Sequence, residues 1–199
     1  CPYCHNPDLV PLESRGGLFP VEEVLAFLEK RRGRLDGVVL TGGEPTAQTG
    51  LTEFLETVRA MEYPVKLDTN GSNPAVLERL LGRGLIDYVA MDLKAPEEKY
   101  GLFSGPAVPF SRISKTMDLI RQSGVPFEFR TTVVPSLLSE EDLLAVADTL
   151  APADRFVLQR FVPSRTLDPR LAAEKGPSAE EITRLAKTLS RNGRTILVR

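Results

Sequence analysis

The chain alternates short apolar runs with amphipathic segments, and this alternation restricts its possible folds more than any other feature. Residues 38–41 and 127–134 are two of the apolar runs. The segments between such runs repeat apolar residues every three or four positions, which is the spacing of one helix face. Strands that alternate with helices of this length form right-handed βαβ units around a parallel sheet. The pattern therefore predicts an α/β fold, and it leaves both a barrel and a doubly wound sheet open.

Individual elements can be placed from apolar spacing and capping residues. Strands are predicted at residues 38–41, 65–69, 87–93, 127–134, 155–162 and 195–198. Ser139 with Asp142 and Ser178 with Glu181 match the capping box that begins helices. A helix is predicted over residues 20–32, and another begins after Asn73, which precedes a proline. Residues 94–109, rich in glycine and proline, are predicted to form a long functional loop.

Composition narrows the class of protein. With 199 residues, 42% hydrophobic and 26% charged, the chain suits one domain spanning residues 1–199. A net charge of −2 offers no broad attraction to nucleic acid or to anionic membranes. No apolar run approaches the roughly 20 residues that cross a bilayer, and no signal peptide is visible. We therefore expect neither nucleic acid nor membrane as a partner. The two cysteines favour a reducing, cytoplasmic compartment over a disulfide framework.

Both cysteines lie in the segment Cys-Pro-Tyr-Cys-His at the start of the sequence. Thiolates at Cys1 and Cys4, three residues apart in a turn, can hold one metal centre. A dithiol redox motif of the glutaredoxin type is an alternative, but Pro7 and Pro11 oppose the helix that follows such a motif. A zinc site would need further ligands, and His5 is the only histidine. We expect His5 to form a hydrogen bond rather than to bind metal.

A second motif, Thr-Gly-Gly-Glu-Pro, follows the predicted strand at residues 38–41. Gly42 and Gly43 allow the backbone to approach a ligand closely, because glycine has no side chain. The Glu44 carboxylate can accept hydrogen bonds from a cationic amine. Together these residues predict a ligand-binding loop at the end of the strand.

Polar residues also mark the carboxyl ends of the next strands. In a parallel barrel these ends meet at one edge, where ligands bind. A charged side chain in a buried strand is costly unless it has a partner or a ligand. The residues concerned are Asp68, Thr69, Asn70, Asp92, Lys94 and Arg130. Structural ion pairs of Lys94 with the two aspartates, and a bracing role for Arg130, are the alternatives to a binding site.

The order of the two motifs resembles the radical S-adenosylmethionine (SAM) superfamily. The resemblance implies an open (βα)6 partial TIM-type barrel, of which this chain would carry strands two to six, the first strand being missing. In that family a C-x3-C-x2-C loop holds a [4Fe-4S] cluster. Cys1 and Cys4 match its second and third cysteines and would be the catalytic cluster ligands. The first cysteine is expected four residues before Cys1.

The segments Lys-Leu-Asp-Thr-Asn-Gly and Met-Asp-Leu-Lys-Ala-Pro are similar to those of glycyl-radical-enzyme activases, and most to the activating proteins of anaerobic ribonucleoside-triphosphate reductase. The resemblance implies that Glu44 binds the SAM amino group and Lys94 the SAM carboxylate. It implies the following SAM-site residues: Tyr3, against the adenine, with Gly42, Gly43, Glu44, Asp68, Asn70, Lys94 and Arg130. It also implies that Asp68, Thr69 and Asp92 hold a monovalent cation.

The function implied is activation of a glycyl-radical enzyme. A 5′-deoxyadenosyl radical, made from SAM by the reduced cluster, would take a hydrogen atom from a glycine of the protein partner. A flavodoxin or ferredoxin would supply the electron. One alternative is a radical SAM enzyme acting on a small molecule, such as a carboxydeazaguanine-type synthase. A dithiol redox protein is the other.

Overall fold

Six parallel strands form one sheet, and their order in the sheet follows their order in the chain. The computed structural model describes residues 1–9, 19–105, 107–190 and 195–199, so Pro11 lies outside it. The strands are β1 (Val38–Leu40), β2 (Val65–Thr69), β3 (Tyr88–Asp92), β4 (Phe127–Val133), β5 (Phe156–Arg160) and β6 (Ile196–Val198). Among these strands β1 and β6 are the sheet edges. The sheet is therefore an open, parallel partial barrel, as predicted.

Seven α-helices are described. They are α1 (Val21–Lys30), α2 (Leu51–Ala60), α3 (Pro74–Gly82), α4 (Glu97–Ser104), α5 (Phe110–Gln122), α6 (Glu140–Asp148) and α7 (Ala179–Leu189). Ser139 and Ser178 form the two predicted capping boxes, at the starts of α6 and α7. Asn73 precedes α3 as predicted, but its side chain makes no capping bond. It donates instead to Thr46 Oγ1 at 3.1 Å.

Two predictions about the elements need correction. Residues 94–109 are not one long loop, because α4 occupies Glu97–Ser104. Tyr100 and Phe103 of α4 are buried, and this packing offsets the local glycine and proline content. The family resemblance implied that the chain carries strands two to six of the barrel, which makes five strands. The described residues form six. The apolar run at β6 supplies the additional strand.

The two faces of the sheet differ in chemistry because neighbouring residues of a strand point to opposite sides. On one face Leu67, Met91 and Phe129 are fully buried in the core that the strands share with the helices. The register pairs Asp92 with Arg130 on the opposite face. That face also carries Lys66, Asp68 and Glu128. A polar inner face thus leads to the carboxyl ends of the strands.

None of the helices in the described ranges has both the length and the apolar character that a membrane span requires.

Candidate active site

A cavity of about 460 Å³ opens at the carboxyl ends of β1 to β4. Its walls include all the residues predicted for the site: Cys1, Tyr3, Cys4, Gly42, Gly43, Glu44, Asp68, Thr69, Asn70, Asp92, Lys94 and Arg130. A larger cavity of about 700 Å³ lies beside α6 and α7 and contains none of these residues. The sequence motifs therefore come together in the smaller cavity, although they are separated by up to about 130 positions along the chain.

The cysteine segment forms a tight turn in which the Cys4 amide donates to the Cys1 carbonyl at 3.1 Å. Both thiols are free and half-buried. The connection between β5 and α7 fixes this turn through two backbone bonds. Leu167 N donates to Cys4 O at 3.1 Å, and Asp168 N donates to Pro2 O at 2.9 Å. Sequence reasoning missed this connection, because hydrogen bonds between main chains leave no signal in residue type.

Aromatic rings pack around the cysteine turn. Tyr3 is buried and packs against Phe103 and Phe161, with ring centroids 5.9 and 6.5 Å away. Burial raises the pKa of Tyr3 to about 12, so its hydroxyl stays neutral. His5 stacks on Phe161 at 5.6 Å, and its Nδ1 lies 2.9 Å from Ser164 Oγ. The predicted hydrogen bond of His5 is confirmed.

Sequence reasoning also missed Tyr100 and Phe103, which belong to α4 and line the cavity. Two aromatic residues three positions apart could have indicated a helix face in the segment that was predicted as a loop. Phe161 carried no such signal, because one aromatic residue after a strand is common in any core.

The glycine loop needs both of its glycines. Gly42 has φ +132°, a backbone conformation that residues with side chains rarely adopt. A Cβ atom at Gly43 would lie 2.5 Å from the carbonyl oxygen of Leu9. The loop after β1 therefore packs closely against the segment that follows the cysteines.

Glu44 joins the ends of β1 and β2. Its Oε1 accepts hydrogen bonds from Thr46 N at 3.1 Å, from Thr46 Oγ1 and from Thr69 Oγ1 at 2.8 Å. Its Oε2 accepts from Asn70 N at 2.7 Å. Three donors occupy Oε1, whereas Oε2 has a single donor and can still accept from an amine. The carboxylate is thus both a structural link and a possible contact for a cationic ligand.

The structure turns Thr69 away from the two aspartates. Its hydroxyl donates to Glu44 and accepts from Gly71 N at 3.1 Å. Asp68, the preceding residue of β2, points to the other face of the sheet. The three residues predicted to surround a cation all line the cavity, but the Thr69 hydroxyl is bonded to Glu44 and both aspartates contact Arg130.

Positively charged side chains contact both Asp68 and Asp92. Arg130 Nε and Nη2 donate to Asp92 Oδ1 at 3.0 and 2.9 Å, and Arg130 Nη1 lies 3.3 Å from Asp68 Oδ2. Lys94 Nζ lies 3.3 Å from Asp92 Oδ2, and Lys66 Nζ lies 3.3 Å from Asp68 Oδ1. Of the two ion pairs considered as an alternative to a binding site, Asp92–Lys94 is present, and Arg130 adds a second cation to it. Asp68 pairs with Lys66 and Arg130.

These contacts hold the groups ionised. Burial opposes the charge on Asp92, but Lys94 and Arg130 outweigh it and lower the pKa of Asp92. Burial likewise opposes the charge on Lys94, but the Asp92 carboxylate raises the pKa of Lys94 above its ordinary value. Both groups therefore carry charge throughout the physiological pH range.

The residues fit the two implied cofactors to different degrees. Cys1 and Cys4 present two thiols to one cavity, which suits two of the three thiolates that hold a [4Fe-4S] cluster in this family. The described residues include no group of three or more His, Cys, Asp or Glu side chains that could complete a metal site. For SAM the fit is fuller, since Glu44 Oε2 can accept from an ammonium group and Lys94 can donate to a carboxylate.

Comparisons with known proteins agree with this geometry. Residues 1–150 match the Radical SAM superfamily. A Methanocaldococcus jannaschii protein, named as a candidate glycyl-radical enzyme activating enzyme, is 34% identical over 205 residues, covering 100% of this chain and 83% of its own. A 7-carboxy-7-deazaguanine synthase of Neisseria meningitidis is 38% identical over 79 residues, covering 40% of this chain and 33% of its own.

A solved structure shares the fold. A domain of the pyruvate-formate lyase-activating enzyme of Bacteroides vulgatus superposes with a TM-score of 0.65 at 17% identity, covering 83% of this chain and 99% of that domain. Because the family match spans residues 1–150 and a relative is 34% identical across the whole chain, the chain belongs to the radical SAM superfamily of enzymes.

Proposed function

We propose that this chain is the catalytic core of a radical SAM activase, which generates a glycyl radical on a partner enzyme. The observation that carries the proposal is the meeting, in one cavity, of the two cysteines with Glu44 and Lys94. The cysteines suit an iron–sulfur cluster, and the two charged residues suit the ends of an amino acid. Two thiols, a carboxylate oxygen that can still accept a hydrogen bond and a largely buried ammonium group in one cavity offer complementary contacts to a cluster and to an amino acid ligand.

The chain's own residues define how SAM would be held. Oε2 of Glu44 would accept from the SAM amino group, beside the backbone of Gly42 and Gly43. Lys94 would donate to the SAM carboxylate, and Tyr3 would lie against the adenine. Cys1 and Cys4 would supply two thiolates to the cluster, with the third from a cysteine four residues before Cys1. When bound, the reduced cluster and SAM supply a 5′-deoxyadenosyl radical that removes a hydrogen atom from the substrate.

A protein substrate is supported by the extent of similarity. The relative named for glycyl-radical enzyme activation matches the whole chain, from the cysteines to the last strand. We propose the anaerobic ribonucleoside-triphosphate reductase as partner, supported by the segments at residues 66–71 and 91–96, which include the ends of β2 and β3.

The remaining proposals concern the cellular setting. A flavodoxin or ferredoxin would donate the electron in an anaerobic cytoplasm, where the free thiols stay reduced. The family resemblance also implies a monovalent cation near Asp68 and Asp92. In the structure these carboxylates already contact Arg130.

The second candidate is synthesis of a small molecule of the carboxydeazaguanine type. The similarity to the synthase of Neisseria meningitidis favours it, at 38% identity. That similarity covers 40% of this chain, whereas the similarity to the activating-enzyme relative covers all of it. The activase is therefore the better supported of the two.

The test is transfer of the glycyl hydrogen atom. The protein, reconstituted with iron and sulfide without oxygen, is incubated with SAM and a reductase whose glycines carry deuterium. We expect a glycyl radical in the electron paramagnetic resonance spectrum and deuterium in 5′-deoxyadenosine. Lys94→Met should abolish both signals. The control is Lys99→Met, which also breaks a lysine–aspartate pair, 2.6 Å to Asp142, but lies outside the cavity wall.

Two outcomes would overturn the proposal. Deuterium-free 5′-deoxyadenosine, formed equally with and without the reductase, would exclude the reductase as substrate. Turnover of a pterin-like small molecule by the wild type, lost in Lys94→Met, would establish the second candidate in its place.

A further inference from the structure

We propose that the guanidinium of Arg130 takes the place of the monovalent cation that the family resemblance implies, so that this site works without a bound alkali ion. The inference concerns the proposed SAM site, but its test does not depend on turnover. It begins from the position of Arg130 on β4, directly beside Asp92 in the sheet register. The side chain is 10% exposed, so it is held in the wall of the cavity.

The guanidinium bridges both carboxylates that a cation would need. It donates twice to Asp92 Oδ1, at 2.9 and 3.0 Å, and lies 3.3 Å from Asp68 Oδ2. A planar group with five N–H donors can satisfy two carboxylates at once, as a metal ion does. A cation between Asp68 and Asp92 would have to displace it.

The other side-chain oxygens near the two aspartates do not supply the ligands that an alkali ion would need. An alkali ion needs several oxygen ligands, as hard cations generally do. The Thr69 hydroxyl is committed to Glu44 at 2.8 Å, on the opposite face of β2 from Asp68. Asp68 Oδ1 has no hydrogen-bond partner among the described residues, but Lys66 Nζ lies 3.3 Å from it. An ammonium group thus already balances the one carboxylate oxygen that stays without a hydrogen bond.

The charge balance supports the same conclusion. Asp92 contacts Lys94 and Arg130, and Asp68 contacts Lys66 and Arg130, so each carboxylate already has two cationic partners. An alkali ion between the two aspartates would have to be accommodated beside these three positive charges. The two carboxylates therefore need no further cation to offset their charge.

A definite consequence follows for variants of Arg130. Removing the guanidinium leaves two carboxylates near each other, with space between them. Potassium or sodium should then bind there and stabilise the protein. In the wild type the same ions should have no specific effect.

The experiment measures the melting temperature of the full-length protein in potassium, sodium or tetramethylammonium chloride at one ionic strength. The wild type should melt alike in all three salts, and Arg130→Lys, which keeps a cation, should behave the same way. Arg130→Ala should melt lower in tetramethylammonium and recover partly in potassium or sodium. Broadening of the sodium-23 resonance on adding protein gives a second measurement, expected for Arg130→Ala and absent for the wild type.

The matched control is Arg121→Ala. Arg121 also pairs with an aspartate, Asp154, at 2.7 Å, but belongs to α5, away from the cavity wall. This variant should lose stability equally in all three salts. If it also recovers in potassium, the recovery is a general salt effect and the inference falls.

Two other results would overturn the inference. Wild-type protein that is stabilised by potassium or sodium, or that broadens the sodium-23 resonance, binds a cation despite Arg130. Arg130→Ala that gains nothing from either ion has no cation site for the guanidinium to replace. A wild-type protein that folds but does not cleave SAM would count against the proposed function alone. Neither the melting temperature nor the sodium-23 resonance depends on turnover.

Discussion

Replacing Glu44 with alanine should destabilise the fold as well as weaken SAM binding. The carboxylate accepts from Thr46 N, Thr46 Oγ1, Thr69 Oγ1 and Asn70 N, and so ties the end of β1 to the end of β2. Alanine removes the acceptor of all four donors. Strands β1 and β2 are adjacent but short, so few bonds between them hold the glycine loop. The hydrogen bonds that Glu44 accepts therefore contribute much of what holds this loop in place.

The magnitude follows from the number and exposure of the donors. A hydrogen bond contributes roughly 0.5–1.5 kcal/mol net, and more when the acceptor is charged. The two hydroxyls can turn to other acceptors, so the two backbone donors account for most of the loss. We expect Glu44→Ala to lower the free energy of unfolding by about 2–4 kcal/mol. For a domain of this size, 1 kcal/mol corresponds to roughly 2–4 °C, so the melting temperature should fall by about 5–15 °C.

The assay is differential scanning calorimetry of the metal-free protein, followed by SAM titration of the reconstituted protein. Glu53→Ala, at an exposed position of α2, is the control and should change the melting temperature little. Glu44→Gln should lie between the two, because the amide keeps one oxygen acceptor and loses the other. A melting temperature for Glu44→Ala equal to that of Glu53→Ala would refute the structural role.

Three further predictions follow from other parts of the molecule. Gly43→Ala should weaken SAM binding roughly tenfold, about 1.4 kcal/mol, because its Cβ would press on the Leu9 carbonyl; Gly101→Ala, with open space around it, should leave the affinity measured by titration unchanged. Burial raises the pKa of Glu128, but the bond from Arg199 outweighs it and lowers that pKa from its ordinary 4.5. The stability that wild type has over Glu128→Gln should thus be complete above pH 4.5 and shrink below it in urea melts; a difference constant down to pH 3 would contradict this. The chain with its two cysteines should hold much less iron and sulfide after reconstitution than a protein extended to include a third cysteine four residues earlier; equal contents would argue against the three-thiolate cluster.

Most elements of the fold were predictable because their signals are local. The apolar run at β4 and the capping box at Ser139 each lie within about seven residues, and both were confirmed. Helix α4 was missed because its glycine and its flanking prolines resemble a loop. Its buried residues Tyr100 and Phe103 stabilise it by tertiary contacts that local composition does not report.

The sequence by itself predicted which strand-end residues come together, because strand ends in a parallel sheet meet at one edge. It placed Glu44, Asp92 and Lys94 there, and the structure brings all three to one cavity. Only the tertiary structure decided which oppositely charged groups these side chains contact. Arg130 lies 38 positions from Asp92 in sequence and 2.9 Å from it in space, a distance set by strand register. Register depends on the packing of the whole sheet, and for that reason no local pattern of residues could specify this contact.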